Sequence, residues 1–331
     1  MTTILFAIDP SQKILDYLRN ELGDRIRTIV PDDFEESTLR RRAAEADMVI
    51  GPRHLAAVLD AGPNIRLVQI PWAGVEDFVP TVRAHPGVHL ANSHGNAYAT
   101  AQYAVTLLLA LVNRIVPAHR LVAQGRWQDR RELFGNHPLM DKTVGIVGAG
   151  HIGTWAARLL KPFGPDLWGL RRTAPEGTPE PFDRMVGVDG LHDLLDASDA
   201  VILSAPHTPD TENLIGRDEL ERLGPEGYLV NIARGEVVEQ RPLYEALRDG
   251  RIMGAALDVW YNYRPEPDAQ GRAYPFDEPF HELDNVVLSP HRAGGMASFD
   301  PERWQPIVEN IRRVIDEREE FVNEVDLEAG Y

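Results

Sequence analysis

Apolar residues in this chain fall in short, β-branched runs separated by longer stretches with helical spacing. Residues 3–8 read as a buried strand, after which Ile14, Leu15, Tyr17, Leu18 and Leu22 recur on one helical face. The alternation continues through residues 27–30, a charged helix over 35–46, and further strands at 47–50 and 65–70. Strands alternating with helices predict a parallel sheet covered on both faces, so the first hundred or so residues form one α/β unit. A long helix is expected over 98–115, around the very apolar run at 107–112, and an extended arm over 125–140.

A second series opens with the apolar run 143–147, which leads directly into Gly148-x-Gly150-x-x-Gly153 and a helical stretch over 154–160. Strand, glycine turn and helix follow in the order a dinucleotide site requires. Gly148 permits the tight turn, Gly150 lets the backbone approach a pyrophosphate, and Gly153 lets helix and strand pack closely. An ordinary glycine turn between strand and helix shares part of this pattern, and the surrounding alternation is what favours the nucleotide reading. Further short strands are expected at 167–170, 200–203, 227–232, 254–259 and 286–289, and a final amphipathic helix over 302–321 returns to the first unit. The fold class is therefore α/β, with two doubly wound, Rossmann-like domains.

Composition narrows the chemistry. The 331 residues suffice for two domains, and 43% hydrophobic with 26% charged residues is ordinary for a globular protein. The absence of cysteine excludes disulfides, thiolate metal sites and cysteine nucleophiles, and no metal site is expected. A formal charge of −17 disfavours nucleic acid and anionic membrane surfaces, so local positive charge must draw any anionic substrate. Of the 34 basic residues only Lys13, Lys142 and Lys161 are lysine, a bias of genomic or salt-adapted origin. The first apolar run is too short for a signal peptide, and none approaches the ~20 residues of a membrane helix, so a cytoplasmic protein is expected.

Several polar residues stand just beyond apolar strands, where doubly wound sheets bind ligands. Arg234 follows 230–233, Asp258 follows 254–257, and His291 follows 287–290. An arginine can hold a carboxylate and polarise a carbonyl, and a histidine exchanges a proton near neutral pH. Together with a nicotinamide-type fold they point to hydride transfer to or from a carbonyl. An arginine capping carbonyls and a histidine satisfied in a turn fit the pattern of each residue equally well.

The stretches WAGVED (72–77), GIVGAGHIG (145–153), PHTPDT (206–211), NIARGEVV (231–238), GAALDVW (254–260) and NVVLSPH (285–291) resemble, in order and spacing, the D-isomer-specific 2-hydroxyacid dehydrogenases. That family includes glycerate, formate, phosphoglycerate and phosphite dehydrogenases. The resemblance implies a flavodoxin-like substrate domain, 1–98 with 294–331, and an NAD(P)-binding Rossmann domain, 99–293. Hinges are expected near 98 and 293. It implies catalytic roles for Arg234 and His291, and substrate-carboxylate binding by backbone N–H groups near Ala73, Gly74 and Val75 in the interdomain cleft. The cofactor is implied to contact Gly148, Gly150, His151, Ile152, Gly153, Ala205, Pro206, Thr211, Ala233, Asp258 and Gly294, with Asp258 holding the nicotinamide carboxamide. A homodimer formed through the cofactor domain is implied as well.

Three departures from the family pattern stand out. Five positions after Asp258, where the family carries an acidic partner for the histidine, this chain has Tyr263; a three-residue insertion would place Glu266 there instead. A carboxylate would raise the histidine pKa, whereas a phenol orients the ring with much less effect. Strict spacing favours Tyr263. The common Ala-Glu pair at the start of the bridging helix reads Ala101-Gln102. Beyond the glycines, where an acidic residue binds the adenine ribose of NAD, stand Arg171, Arg172 and Thr173, a set that suits a 2′-phosphate and favours NADP over NAD. The reading is a reductase of a small 2-oxo acid or dehydrogenase of its (R)-2-hydroxy acid. Two rivals stand beside it: a non-catalytic NAD(P)(H)-binding regulator, and an enzyme for a phosphonate or inorganic anion whose cleft is reshaped by the loop 261–280.

Overall fold

The computed structural model describes residues 1–133, 135–295 and 301–331. Residue 134 of the expected arm and residues 296–300 of the returning segment lie outside the described residues. The chain divides into two compact units, Met1–Asn96 with Met296–Tyr331, and Ala97–Gly295.

The first unit runs β1 (Thr2–Phe6), α1 (Gln12–Leu22), β2 (Ile26–Ile29), α2 (Glu36–Ala43), β3 (Met48–Ile50), α3 (Leu55–Ala61), β4 (Leu67–Gln69), α4 (Val79–Arg83) and β5 (His89–Ala91), and a last helix, Pro301–Ile315, completes it. Its five strands are all parallel in the order β2-β1-β3-β4-β5, the flavodoxin-like arrangement. Alternate residues of β1 face opposite layers. Ile4 and Phe6 pack with Leu18, Leu22, Trp304, Ile307 and Ile311, and Leu5 packs with Leu39, Val58 and Val68. Both faces are thus covered, and the central strands read as continuous apolar runs for that reason.

The second unit runs α5 (Ala97–Val112), α6 (Ile115–Ala123), β6 (Thr143–Val147), α7 (His151–Leu160), β7 (Asp166–Leu170), β8 (Arg184–Val186), α8 (Leu191–Ala197), β9 (Ala200–Leu203), α9 (Arg217–Leu223), β10 (Tyr228–Asn231), α10 (Gln240–Arg248), β11 (Gly254–Leu257) and β12 (Val286–Leu288). The last helix, Pro301–Ile315, is therefore α11. Seven parallel strands lie in the order β12-β11-β10-β9-β6-β7-β8. The order reverses between β6 and β9, so the glycine turn that follows β6 sits at the topological switch point.

Two helices depart from expectation. The helix expected over 98–115 stops at Val112, because Arg114 adopts φ 53° and starts α6 in a new direction, bent by 62°. The helix expected to end at 321 ends at Ile315, followed by Glu317 at φ 57°. Apolar periodicity reports neither break, since both are backbone events at polar residues. The expected arm holds a short 3-10 segment, Trp127–Leu133. No single described helix is long and apolar enough to cross a membrane.

Candidate active site

At the switch point, Gly148 has φ 94°, and a Cβ there would lie 2.3 Å from the Ala205 nitrogen. A Cβ on Gly153 would lie 2.5 Å from the Gly148 carbonyl oxygen, whereas one on Gly150 would meet nothing within 4 Å. Gly148 and Gly153 are therefore demanded by the fold, and Gly150 keeps clear the space in front of the first turn of α7. The N–H groups of His151, Ile152 and Gly153 open that helix, where no intrahelical acceptor exists for them. This turn fits a dinucleotide pyrophosphate. Gly148→Ala is expected to destabilise the protein by about 2–4 kcal/mol through strain and overlap. Gly150→Ala should keep the melting temperature and weaken cofactor binding at least ~10-fold, because its methyl occupies the phosphate space. Thermal melts beside a cofactor titration separate the two, and equal losses of stability would contradict the division.

Arg171 leaves the end of β7 and its Nε donates to the Ala149 carbonyl at 2.6 Å, which fixes its guanidinium against the glycine turn. Arg172 and Thr173 follow, both exposed. On the other side of the turn, Ser204 Oγ donates to the Gly148 carbonyl at 2.8 Å, and Thr211 Oγ1 donates to the Pro206 carbonyl at 2.7 Å. The structure thus brings Gly148, Arg171 and Ala205 together around one loop.

Arg234 sits in extended backbone just past β10. Asn231, 1% exposed, makes the turn that carries it: its Nδ2 donates to the Arg234 carbonyl at 2.8 Å and its Oδ1 accepts from the Ala233 N–H at 3.0 Å. Arg234 Nη1 donates to the Ala233 carbonyl at 2.8 Å. Gly235 permits the closeness of this turn to the next strand, since a Cβ there would lie 2.4 Å from the Trp260 carbonyl oxygen.

Asp258, also 1% exposed, follows β11 and organises the loop after β12. Its Oδ1 accepts from the Ser289 hydroxyl and from the Arg292 N–H at 2.8 Å, and its Oδ2 accepts from the Ala293 N–H at 2.8 Å. A buried carboxylate is costly unless so satisfied. These bonds fix the chain on either side of His291, which adopts φ 53°, a conformation that costs an L-residue with a large side chain about 1–2 kcal/mol. Because Ser289 Oγ gives its single proton to Asp258, the Tyr103 hydroxyl 2.8 Å away is the donor to Ser289. Trp260 Nε1 donates to the Ser289 carbonyl at 2.8 Å. Asn231, Ser289 and Tyr103 carry no signal of their own as catalytic types. Asn231 and Ser289 are polar residues closing apolar strands, and that pattern marks them as sites where a strand must hand over to a shaped turn.

His291 Nδ1 lies 2.7 Å from the Tyr263 hydroxyl, with the rings tilted at 5.3 Å between centroids. The Trp260 N–H donates to the same phenol oxygen at 3.3 Å. Burial raises the Tyr263 pKa above its ordinary value, against the opposing effects of the Trp260 N–H and then the nearby charge of Arg234. The phenol therefore stays neutral at physiological pH, and it links the histidine to the neighbourhood of the arginine. Glu266 stands exposed farther along the loop and makes no ion pair among the described residues.

In the first unit, the loop after β4 carries Ala73, Gly74 and Val75. Among the described residues none of their three N–H groups donates a hydrogen bond. The loop is held from behind: Arg303 Nε and Nη2 donate to the Pro71 carbonyl at 3.1 and 2.8 Å, and Asn92 Nδ2 donates to the Ala73 carbonyl at 2.8 Å. Buried Gln69 and Asn310, joined at 2.8 Å, tie α11 to the end of β4. Successive N–H groups left open on a braced loop are able to receive an anion. No group of three or more His, Asp or Glu placed to hold a metal occurs among the described residues.

A Rossmann-order sheet with this glycine turn at its switch point, and ionisable side chains gathered past β10, β11 and β12, defines a dinucleotide-dependent oxidoreductase. Residues 105–293 match the family model of the D-isomer specific 2-hydroxyacid dehydrogenase NAD binding domain. A glyoxylate reductase from Korarchaeum cryptofilum is 35% identical over 77% of this chain and 75% of its own. Among solved structures, an NADPH-dependent glyoxylate/hydroxypyruvate reductase from Sinorhizobium meliloti, in complex with NADP and malonate, superposes with a TM-score of 0.76 at 26% identity, covering 99% of this chain and 98% of that one. A D-isomer specific 2-hydroxyacid dehydrogenase from Xanthobacter autotrophicus, in complex with NADPH and MES, gives 0.78 at 26% identity, covering 100% and 99%. The chain belongs to the D-isomer specific 2-hydroxyacid dehydrogenase family. It is an NAD(P)-dependent oxidoreductase of 2-oxo and 2-hydroxy acids.

Proposed function

We propose that the enzyme is an NADPH-preferring reductase of a small 2-oxo acid, yielding the (R)-2-hydroxy acid. The observation that carries the reading is the Arg234, Tyr263 and His291 set beyond β10, β11 and β12, at the same edge of the sheet as the glycine turn. When bound, the reduced nicotinamide supplies hydride to the 2-oxo carbon. Arg234 pairs with the carboxylate and carbonyl oxygen of the substrate and stabilises charge as it develops there. His291, protonated, gives its Nε2 proton to that oxygen. Its Nδ1–H donates to the Tyr263 oxygen before and after the transfer, because the neutral imidazole left by loss of the Nε2 proton keeps its proton on Nδ1. The three open N–H groups of Ala73, Gly74 and Val75 give the first unit an anion-binding loop of its own.

NADPH preference rests on Arg171, held against the glycine turn, with Arg172 and Thr173 beside it. Guanidiniums pair with a 2′-phosphate and accept no hydrogen bond from a bare ribose diol. Initial rates with NADPH and NADH against glyoxylate, hydroxypyruvate and pyruvate test both halves of the proposal. NADPH should give at least ~10-fold higher kcat/KM, and Arg171→Ala with Arg172→Ala should lower that ratio by at least ~10-fold. A higher kcat/KM with NADH would reject the cofactor assignment, and no turnover on any 2-oxo acid would reject the reductase. Dimerisation through this unit is part of the proposal, because Val122, Trp127 and Met140 expose 57, 63 and 66% of their surface.

A further inference from the structure

The strands that carry Arg234, Asp258 and His291 at their carboxyl ends share a cavity at their amino ends. It measures about 200 Å³ and is floored by Leu111 and Val287. Tyr228, the first residue of β10, lines it and is 6% exposed, yet its hydroxyl has no hydrogen-bond partner among the described residues. Arg114, in the left-handed link between α5 and α6, lines it too, and its guanidinium makes no ion pair or hydrogen bond among the described residues. The charge of Arg114 acts on Tyr228, opposing the rise in pKa that burial imposes on the phenol, so Tyr228 is a neutral donor at physiological pH. His137 packs its ring edge against Tyr228 at 5.6 Å. Exposed Asp284 completes the polar lining.

A phenol hydroxyl and a half-buried guanidinium that meet no acceptor among the described residues stand together beside an apolar floor, which pairs two donors for an anion with a surface for hydrocarbon. We propose that this cavity is a second ligand site, for a small monocarboxylate with an apolar body, separate from the site at the opposite edge of the sheet. Arg114 pairs with the carboxylate, Tyr228 donates to it, and Leu111 and Val287 receive the hydrocarbon. Asp284 sets the charge limit: beside one arginine and one aspartate a monoanion is favoured over a dianion such as sulfate. The volume is that of roughly six or seven waters at about 30 Å³ each, which matches a branched acid of about seven heavy atoms. The assignment stands on these residues alone and does not depend on the catalytic roles proposed above.

Isovalerate is the probe, titrated by calorimetry into the full-length Arg234→Gln protein so that carboxylate binding at the proposed catalytic arginine is removed. Saturable binding of one isovalerate per chain is expected, weakened at least ~10-fold by adding Arg114→Met and several-fold by adding Tyr228→Phe, with sulfate failing to compete. Tyr228→Phe removes one oxygen only and keeps the test open where Arg114→Met does not fold. No saturable binding, or binding unchanged by either substitution, overturns the proposal. So does Arg114→Met shifting the oligomeric state while isovalerate affinity holds, since the cavity would then be a packing surface between copies of this chain.

Discussion

His291→Asn is expected to lower kcat for 2-oxo acid reduction by about 10²–10⁴-fold, the range a positioned general acid contributes. Asparagine is the informative replacement because residue 291 adopts φ 53°, a conformation asparagine tolerates better than most residues. The loop held by Asp258 should then persist, and cofactor affinity should stay within about threefold of the parent, which assigns the loss to chemistry rather than to folding. Steady-state kinetics with a cofactor titration make the measurement, and an unchanged kcat with chemistry rate-limiting would remove His291 from the proton-transfer role. The partner sharpens the expectation. Because burial raises the Tyr263 pKa, the phenol holds its proton beyond its ordinary pKa of about 10, so no acidic limb below that pH belongs to it. Reduction should fall along a single limb as pH rises and His291 loses its proton. Tyr263→Glu places a carboxylate beside Nδ1, favours the imidazolium and should move that limb to higher pH by about 1 unit or more. Tyr263→Phe keeps the ring, removes the hydrogen bond, and should leave the limb nearly in place at reduced kcat.

Much of this arrangement is legible in the chain before any coordinates. Short, mostly apolar runs mark β1, β3, β6, β9, β10 and β12 because strands buried on both faces have no polar side to show. β5 and β8 escape notice, since three residues that include His89 or Arg184 carry no periodicity to detect. The break at Arg114 is equally silent, because apolar spacing continues across it while the backbone changes hand. In the candidate site, position alone locates Arg234, Asp258 and His291 at strand ends. What Asp258 does there is decided by long-range bonds to Ser289, Arg292 and Ala293, more than thirty residues away in sequence. The choice between Tyr263 and Glu266 turned on loop conformation, and the Trp260 N–H bond to the phenol shows the loop folding back on itself at the spacing that places Tyr263 on the histidine.

Arg234→Ala should cost about 10²–10³-fold in kcat/KM, the usual loss when a donor aimed at developing oxygen charge is removed. Its position explains the size of the effect. The turn that presents it is braced on three sides: by the Asn231 side chain against the backbone on either side, by Gly235 against the Trp260 carbonyl, and by Nη1 on the Ala233 carbonyl. A guanidinium so held meets a 2-oxo carboxylate with little reorganisation, which is where preorganised charge gains its advantage over water. Lysine restores the charge without the planar fork, so Arg234→Lys should recover part of the substrate affinity and little of kcat. The split between KM and kcat across the Ala and Lys variants is the measurement, with thermal melts to show that the turn survives. If Arg234→Lys were as active as the parent, the arginine would be acting as a point charge that draws an anionic substrate toward a protein of net charge −17, and the bidentate role would fall.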